Sequence, residues 1–476
     1  MAVRIADRPA TWVLSTAHQR FFGTAENTVK TQRIVIPQRV TRSKKPRPNV
    51  LEIYPTSIGS QRFPHTTHLL NGEHPFTVVH GKGFMHRSLT LTWSIILGIL
   101  PAAAAEGTRL IGTGPVQVGT AGAGVASPQN SSWLSLNPAS LVDVSRRVDV
   151  SSDIINGRVE VTPQGALGNS SNGTMEDSVV VFAPAMTWVK SADGEAFALG
   201  FYTVSGLTMT LPEGRSSPGA AGGFDTTAEQ RFMTTSAAYA RTIADGLSMG
   251  LAVNLNYVDF HSNTITLAGV ETAGNNQLDS ALGGGFVLSA YQRWQQLSLG
   301  ATFTSRQWMQ TLDKYRDIFA GSPDLPPVLQ VGLAWRPLSW LEPLFDYRFI
   351  DWSSVATYGN NPNDQGLGWR DQHIIKLGCN AHLTEKCTLR VGVSYGRSPI
   401  TESEVFANAL SPLVTEWHAT LGLGWVVNSQ WDVQVAYLHG FKNELTDNGA
   451  DAGGLAQGST ISLEVDSLIM GVGWRY

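Results

Sequence analysis

Residues 466–476 read D-S-L-I-M-G-V-G-W-R-Y, and the chain stops there on an aromatic side chain. Leu468, Met470, Val472, Trp474 and Tyr476 fall on one face of an extended backbone, and Ile469, Gly471, Gly473 and Arg475 fall on the other. That alternation is the period of a β-strand. A strand that ends a chain leaves a row of N–H and C=O groups open to other chains unless the sheet closes on itself. Two architectures satisfy the stretch: the last strand of a soluble sandwich, or the closing strand of an outer-membrane β-barrel. In the second case this strand is also the one offered to the barrel-assembly machinery.

The same period recurs upstream. Leu247, Met249, Leu251, Val253, Leu255 and Tyr257 alternate with Ser248, Gly250, Ala252, Asn254 and Asn256. Leu389, Val391, Val393 and Tyr395 alternate with Arg390, Gly392, Ser394 and Gly396. From Arg146 onward the pattern predicts fourteen strands, among them 146–155, 179–190, 196–208, 231–243, 430–441 and 465–476. The connections 191–195, 244–246, 294–296, 337–340, 384–386 and 428–429 are short. Those between them run to roughly 15–25 residues, the two-rim pattern of outer-membrane barrels. A sandwich has no reason to sort its loops this way. The fold expected is therefore all-β, a transmembrane antiparallel barrel over 146–476 with its short rim and both termini on the periplasmic side. Trp335, Trp340, Trp352, Trp369, Trp417, Trp425, Trp431 and Trp474 lie near strand ends, where interfacial girdles are expected. Composition agrees: 48 glycines and 14 tryptophans suit strands and turns, and 42% hydrophobic residues is too lean for a bundle of membrane helices.

The N-terminal part is unlike the rest. Arg39, Arg42, Lys44, Lys45 and Arg47 crowd together, whereas acidic residues predominate after Glu106. Met85 opens H-R-S-L-T-L-T-W-S-I-I-L-G-I-L-P-A-A-A-A-E, a basic start, a short apolar run and an A-x-A site at Ala103 and Ala105. This is the signature of a signal peptide over 85–105, cleaved before Glu106. Residues 1–84 are then read as a disordered upstream extension outside the working protein, with no nucleic-acid role. Residues 106–145, rich in Gly and Ala, are expected to thread the barrel interior as a small plug. Gly119, Gly122 and Gly124 make only a weak phosphate-loop signal, because no strand precedes them.

The two cysteines, Cys379 and Cys387, are expected to be free. A tight turn at 384–386 places 383 opposite 387 and 379 opposite 391, which separates the two sulfurs beyond bridging reach. His373, His382, His418 and His439 are scattered over strands, and no serine sits in a nucleophile elbow. No enzyme activity, cofactor or metal site is expected. The loop T-D-N-G-A-D at 446–451 lacks the closing glutamate of a calcium loop.

The segment 323–355, P-D-L-P-P-V-L-Q-V-G-L-A-W-R-P-L-S-W-L-E-P-L-F-D-Y-R-F-I-D-W-S-S-V, resembles part of the FadL/TodX-type outer-membrane transporters. G-W-R-D-Q-H-I-I-K-L-G at 368–378, R-V-G-V-S-Y-G-R-S-P-I at 390–400 and V-A-Y-L-H-G at 435–440 continue the resemblance in order. Asn137, Pro138 and Ala139 match the family's N-P-A. The likeness covers most of 119–476, while the start, E-G-T-R-L-I-G-T-G-P, departs from the family pattern. The resemblance implies a fourteen-stranded barrel with an internal hatch. It also implies uptake of long-chain fatty acids or other hydrophobic compounds, gathered by extracellular loops and released sideways near a kinked third strand.

Candidate residues follow. Pro184 in the second strand cannot donate to a ladder and predicts a break there. Ser205, Gly206 and Leu207 fall where the family has its kink, so these four are the candidate lateral gate. Trp308, Leu312, Tyr315 and Phe319 recur at near-helical spacing and predict an amphipathic helix, either capturing ligand or capping the barrel. Lys376 should point inward, either to bind a carboxylate head group or to pair with a lumen acid. The partners expected are a hydrophobic small molecule, the lipid bilayer and lipopolysaccharide, with the protein a monomer. Two alternatives stand beside the transporter: a general diffusion porin for polar solutes, and an outer-membrane lipase.

Overall fold

A computed structural model describes residues 106–165, 173–211, 226–262, 277–316, 321–450 and 452–476. The extension, the signal peptide and Phe319 lie outside the described residues. Fifteen strands form one antiparallel sheet: β1 (Arg147–Thr162), β2 (Met175–Ala192), β3 (Glu195–Leu211), β4 (Thr226–Ala244), β5 (Leu247–Ser262), β6 (Asp279–Arg293), β7 (Leu297–Thr304), β8 (Trp308–Met309), β9 (Val328–Trp335), β10 (Leu341–Ile350), β11 (Gln372–His382), β12 (Cys387–Gly396), β13 (Trp417–Val426), β14 (Trp431–Thr446) and β15 (Thr460–Arg475). All but the two-residue β8 build the wall, which makes the fourteen expected. The last strand closes the ring, pairing with β1 from Arg147 opposite Arg475 to Thr162 opposite Thr460.

Turn chemistry sets the short rim. Between β2 and β3, Asp193 and Gly194 both take positive φ, 53° and 76°. That is the two-residue turn whose twist matches a hairpin. Between β11 and β12 the register is also as expected: Cys379 pairs with Val391, and both cysteines are free.

The outer surface is apolar where a bilayer would touch it. Phe182, Leu199, Leu251, Val253, Leu288, Ile375, Leu421 and Met470 are all exposed, against the usual burial of such side chains. Trp335, Trp340, Trp425, Trp431 and Trp474 ring the short rim, and Trp417 lies at the opposite end of its strand. Trp352 and Trp369 do not join a girdle. Both are buried, because the connection 351–371 folds over the lumen and carries them inward. An arginine at the middle of the lipid face, Val253→Arg, is expected to destabilise the barrel by about 2–4 kcal/mol. Reversible unfolding in lipid measures it.

Several strands run past their expected ends. β1 continues beyond 155, β2 starts before 179, β4 before 231, β14 passes 441 and β15 starts before 465. The outward residues there are Asn156, Arg158, Glu160, Glu464 and Asp466, so the hydrophobic alternation stops while the ladder continues. Arg158 bonds Glu464 at 3.0 Å and also Asp466, and Lys442 bonds Glu160 at 2.7 Å. The hydrophobic period therefore marks the membrane-facing part of each strand, not its length.

Candidate functional site

The inward face of the wall is small, and residues 106–145 lie directly against it. This segment holds two single turns of helix, α1 (Pro115–Val118) and α2 (Trp133–Leu136), then a 3-10 turn over Pro138–Asp143. A Cβ on Gly392 would fall 2.3 Å from the carbonyl carbon of Thr120, and one on Gly300 would fall 2.3 Å from the Val125 oxygen. Only glycine lets the two backbones approach this closely. The wall's glycine content is thus the space the segment occupies.

Polar wall residues then hold the segment by its backbone. The buried Asp346 carboxylate accepts from the N–H groups of Gly124 and Val125 at 3.0 and 2.9 Å and from Gln330 at 2.6 Å. Glu342 accepts from the Ser127 hydroxyl at 2.8 Å and from Asn380 at 2.9 Å. Asn137 caps the 3-10 turn by accepting from the Ala139 N–H, and it donates to the carbonyls of Val125 and Ala290. Pro138 opens the turn, and the Ala139 N–H also meets the Ser289 hydroxyl at 2.9 Å. Asn137, Pro138 and Ala139 are therefore an anchor between the segment and β6.

The wall has a break beside this segment. β2 and β3 pair only from Ala185 opposite Tyr202 to Ala192 opposite Glu195. Both strands continue well past that point, and β1 keeps its partner along β2. The ladder stops at Pro184, which has no N–H to give. On β3 the register slips between Thr203 and Ser205, a bulge that bends the strand. Buried backbone groups left by such a break need partners. Residues 108–110 supply them: the Leu110 N–H donates to the Val204 carbonyl at 3.1 Å, and the Gly206 N–H donates to the Thr108 carbonyl at 3.2 Å. Val181 and Ala183 on β2, with Leu207 and Met209 on β3, line the inner side of the break with apolar atoms.

Above the segment lies the largest apolar cluster. Trp352, Tyr358 and Trp369 from 351–371 and Ile400, Val405 and Leu413 from 397–416 are all buried in it. Beside residues 109–113, toward the long-loop rim, lies a cavity of about 90 Å³, lined by polar Arg109, Asn254, Thr302 and Gln330 and by apolar Ile111, Val204, Val287 and Leu325 among others. The Asn254 amide oxygen and Thr302 hydroxyl there have no protein partner.

The remaining candidates resolve as follows. Lys376 does point inward and pairs with Glu106, the acid alternative, and it donates to the Ala121 carbonyl at 3.2 Å. The helix expected through Trp308 to Phe319 does not form over its described part. Instead, β8 continues the ladder of β6 through Gly283 and Gly284, and a 3-10 turn spans Asp313–Tyr315. The chain dips inward between Thr304 and Trp308 so that Gln307 can accept from Asn254 and Asn256 at 3.1 and 2.9 Å. Trp308 is exposed on the outer wall, whereas Leu312 and Tyr315 are buried with Phe232 and Phe260. They are core, not a groove. Sequence reasoning missed Glu106, Asp346 and Arg348.

Chemistry of other kinds finds little footing. The His418 ring lies 3.4 Å from the Ser394 hydroxyl, but both are buried and the other ring nitrogen has no partner to orient it. Among the described residues, His439, Glu464 and Asp466 have ligand atoms close enough for a metal, yet Arg158 already bonds both carboxylates.

A family model described as outer membrane protein transport protein (OMPP1/FadL/TodX) matches residues 99–476. The toluene transporter TodX of P. putida has a similar structure, with TM-score 0.59 at 14% identity, over 77% of this chain and 99% of that one. A FadL homologue of Pseudomonas aeruginosa gives 0.58 at 14% identity, over 78% and 99%. The toluene transporter TbuX of Ralstonia pickettii gives 0.54 at 15% identity, over 77% and 99%. Comparison with curated protein sequences finds no match. The wall and its apolar belt fit the outer membrane, and the chain belongs to the OMPP1/FadL/TodX family of outer-membrane transport proteins.

Proposed function

We propose that this protein takes hydrophobic compounds across the outer membrane and releases them sideways into the bilayer between β2 and β3. The observation that carries the reading is the interrupted ladder at Pro184, closed by residues 108–110 rather than by wall. A hydrophobic solute is gathered by the apolar cluster over the lumen and passes the break when 108–110 leave β3. Its apolar lining then leads outward. The route straight down is unsuited to such a solute, because the segment is held against the wall by buried polar groups. The filled lumen likewise argues against a general porin. The role is transport rather than catalysis.

Gly206→Trp is the test. Its backbone N–H belongs to the contact that closes the break, and a bulky side chain there obstructs the exit. Uptake of a neutral hydrocarbon into proteoliposomes is expected to fall severalfold while the barrel stays resistant to unfolding in detergent. Unchanged uptake by a folded variant favours passage through the luminal segment instead.

A further inference from the structure

Two connections on the long-loop rim, 397–416 and 447–459, are tied to each other. The Asn448 N–H donates to the Glu402 carbonyl at 3.0 Å, and the Asn448 amide donates to the Ser403 hydroxyl at 3.3 Å. These bonds bring Asp447 toward Glu404. Asp447 is only 3% exposed. One of its carboxylate oxygens accepts from the Gly449 N–H at 2.7 Å, while the other, Oδ2, is enclosed and has no partner among the described residues. Glu404 is alike: its Oε2 is enclosed and has no partner among them either. The Glu404 carboxyl packs on Gly368, where a Cβ would fall 2.8 Å from Oε2. Burial pushes that carboxyl up from its ordinary value, Arg370 draws it back, and the charge of Asp447 adds to the rise. Arg370 is exposed and does not bond Oε2.

A carboxylate oxygen shut away from water without a donor carries the full cost of its desolvation. Two such groups of one sign also repel, and a positive charge beside them relieves both penalties. Among the described residues, no side chain supplies that charge to either oxygen. We infer that Glu404 and Asp447 hold a calcium ion that fastens connection 397–416 to connection 447–459. Both donors are oxygens, which selects a hard cation. Calcium accepts about six to eight oxygens in a flexible arrangement, so water at the rim can complete its shell, whereas magnesium demands a near-ideal octahedron. The loop 446–451 lacks the closing glutamate of a calcium loop, and Glu404 brings a carboxylate from the neighbouring connection instead. Val405 directly follows this ligand and, with Ile400 and Leu413, is buried in the apolar cluster over the lumen. The ion therefore holds that cover in place from its outer side, whatever route a solute takes below it.

Terbium(III) is the probe, because it takes calcium's oxygen sites and emits when a nearby tryptophan is excited. Trp369 adjoins Gly368, on which Glu404 packs. In the processed, lipid-embedded protein, washed with chelator, emission should rise to saturation with terbium. Calcium should displace it with a half-effect near about 0.1–1 mM, the range of extracellular calcium modules, and magnesium should do so far less well. Glu404→Gln and Asp447→Asn should each weaken terbium binding by about tenfold or more, since affinity follows the ligand charge. Glu464→Gln, which removes a carboxylate of the separate His439 cluster, should leave the emission unchanged. Absence of emission in wild type, persistence of it in both Glu404→Gln and Asp447→Asn, or its loss in Glu464→Gln overturns the site. A second measurement needs no variant and decides if the variants do not fold. Calcium should slow proteolytic cleavage within 397–416 of wild type severalfold, and chelation should restore the rate. A cleavage rate indifferent to calcium overturns the inference.

Discussion

Deleting residues 107–126 is expected to open the lumen to small polar solutes. Within this stretch the backbone of 120–125 lies against Gly300, Gly378 and Gly392 of the wall, beside the polar Asp346 and Lys376. Gly300, Gly378 and Gly392 would remain facing an empty channel. The wall does not need the segment for its own hydrogen bonds except at the break, since each wall strand is otherwise paired on both sides. Asp346 would lose the Gly124 and Val125 N–H groups and Lys376 the Ala121 carbonyl, but both would gain water, which removes most of the penalty. The barrel should therefore assemble and leak. Liposome swelling in arabinose should rise from background to the rate of an open pore. A folded deletion variant that stays tight to arabinose would mean that the extracellular connections, not the segment, seal the channel.

The fold was legible because a strand with one face in lipid and one face against a small-residue interior repeats its pattern every two residues. Leu251, Val253 and Leu255 against Gly250, Ala252 and Asn254 is enough to set both faces of β5. The same rule failed where neither face meets lipid. Arg158, Glu160, Glu464 and Asp466 continue their strands beyond the bilayer with no hydrophobic signal. Helical spacing misled at Trp308, Leu312 and Tyr315, because a short strand followed by a 3-10 turn presents residues at similar intervals. Trp352 and Trp369 were placed by their distance from strand ends, which cannot reveal a connection folding back over the lumen. The break was partly legible: Pro184 marks it, since proline ends a ladder wherever it stands. What closes the break was not. Residues 108–110 carry no strand pattern, and their partner lies on β3, far along the chain. The same holds for Lys376. A buried lysine demands an acid, but nothing in spacing selects Glu106, 270 residues away.

The central claim is that residues 108–110 must leave β3 for a hydrophobic solute to pass. Arg109 and Ser205 face each other across that contact in an antiparallel bridge. Facing residues in such a pair have Cα atoms about 4.5–5.5 Å apart, within the range that a disulfide spans. In a chain with Cys379 and Cys387 replaced by serine, Arg109→Cys with Ser205→Cys should form a bond that staples the segment to the strand. Hydrocarbon uptake into proteoliposomes is the readout, taken before and after reduction on the same preparation, with the cross-linked fraction measured by mobility. The expected result is uptake near background when oxidised and recovery on reduction, with each single-cysteine control insensitive to oxidation. Equal uptake in the fully cross-linked and reduced states would contradict the claim.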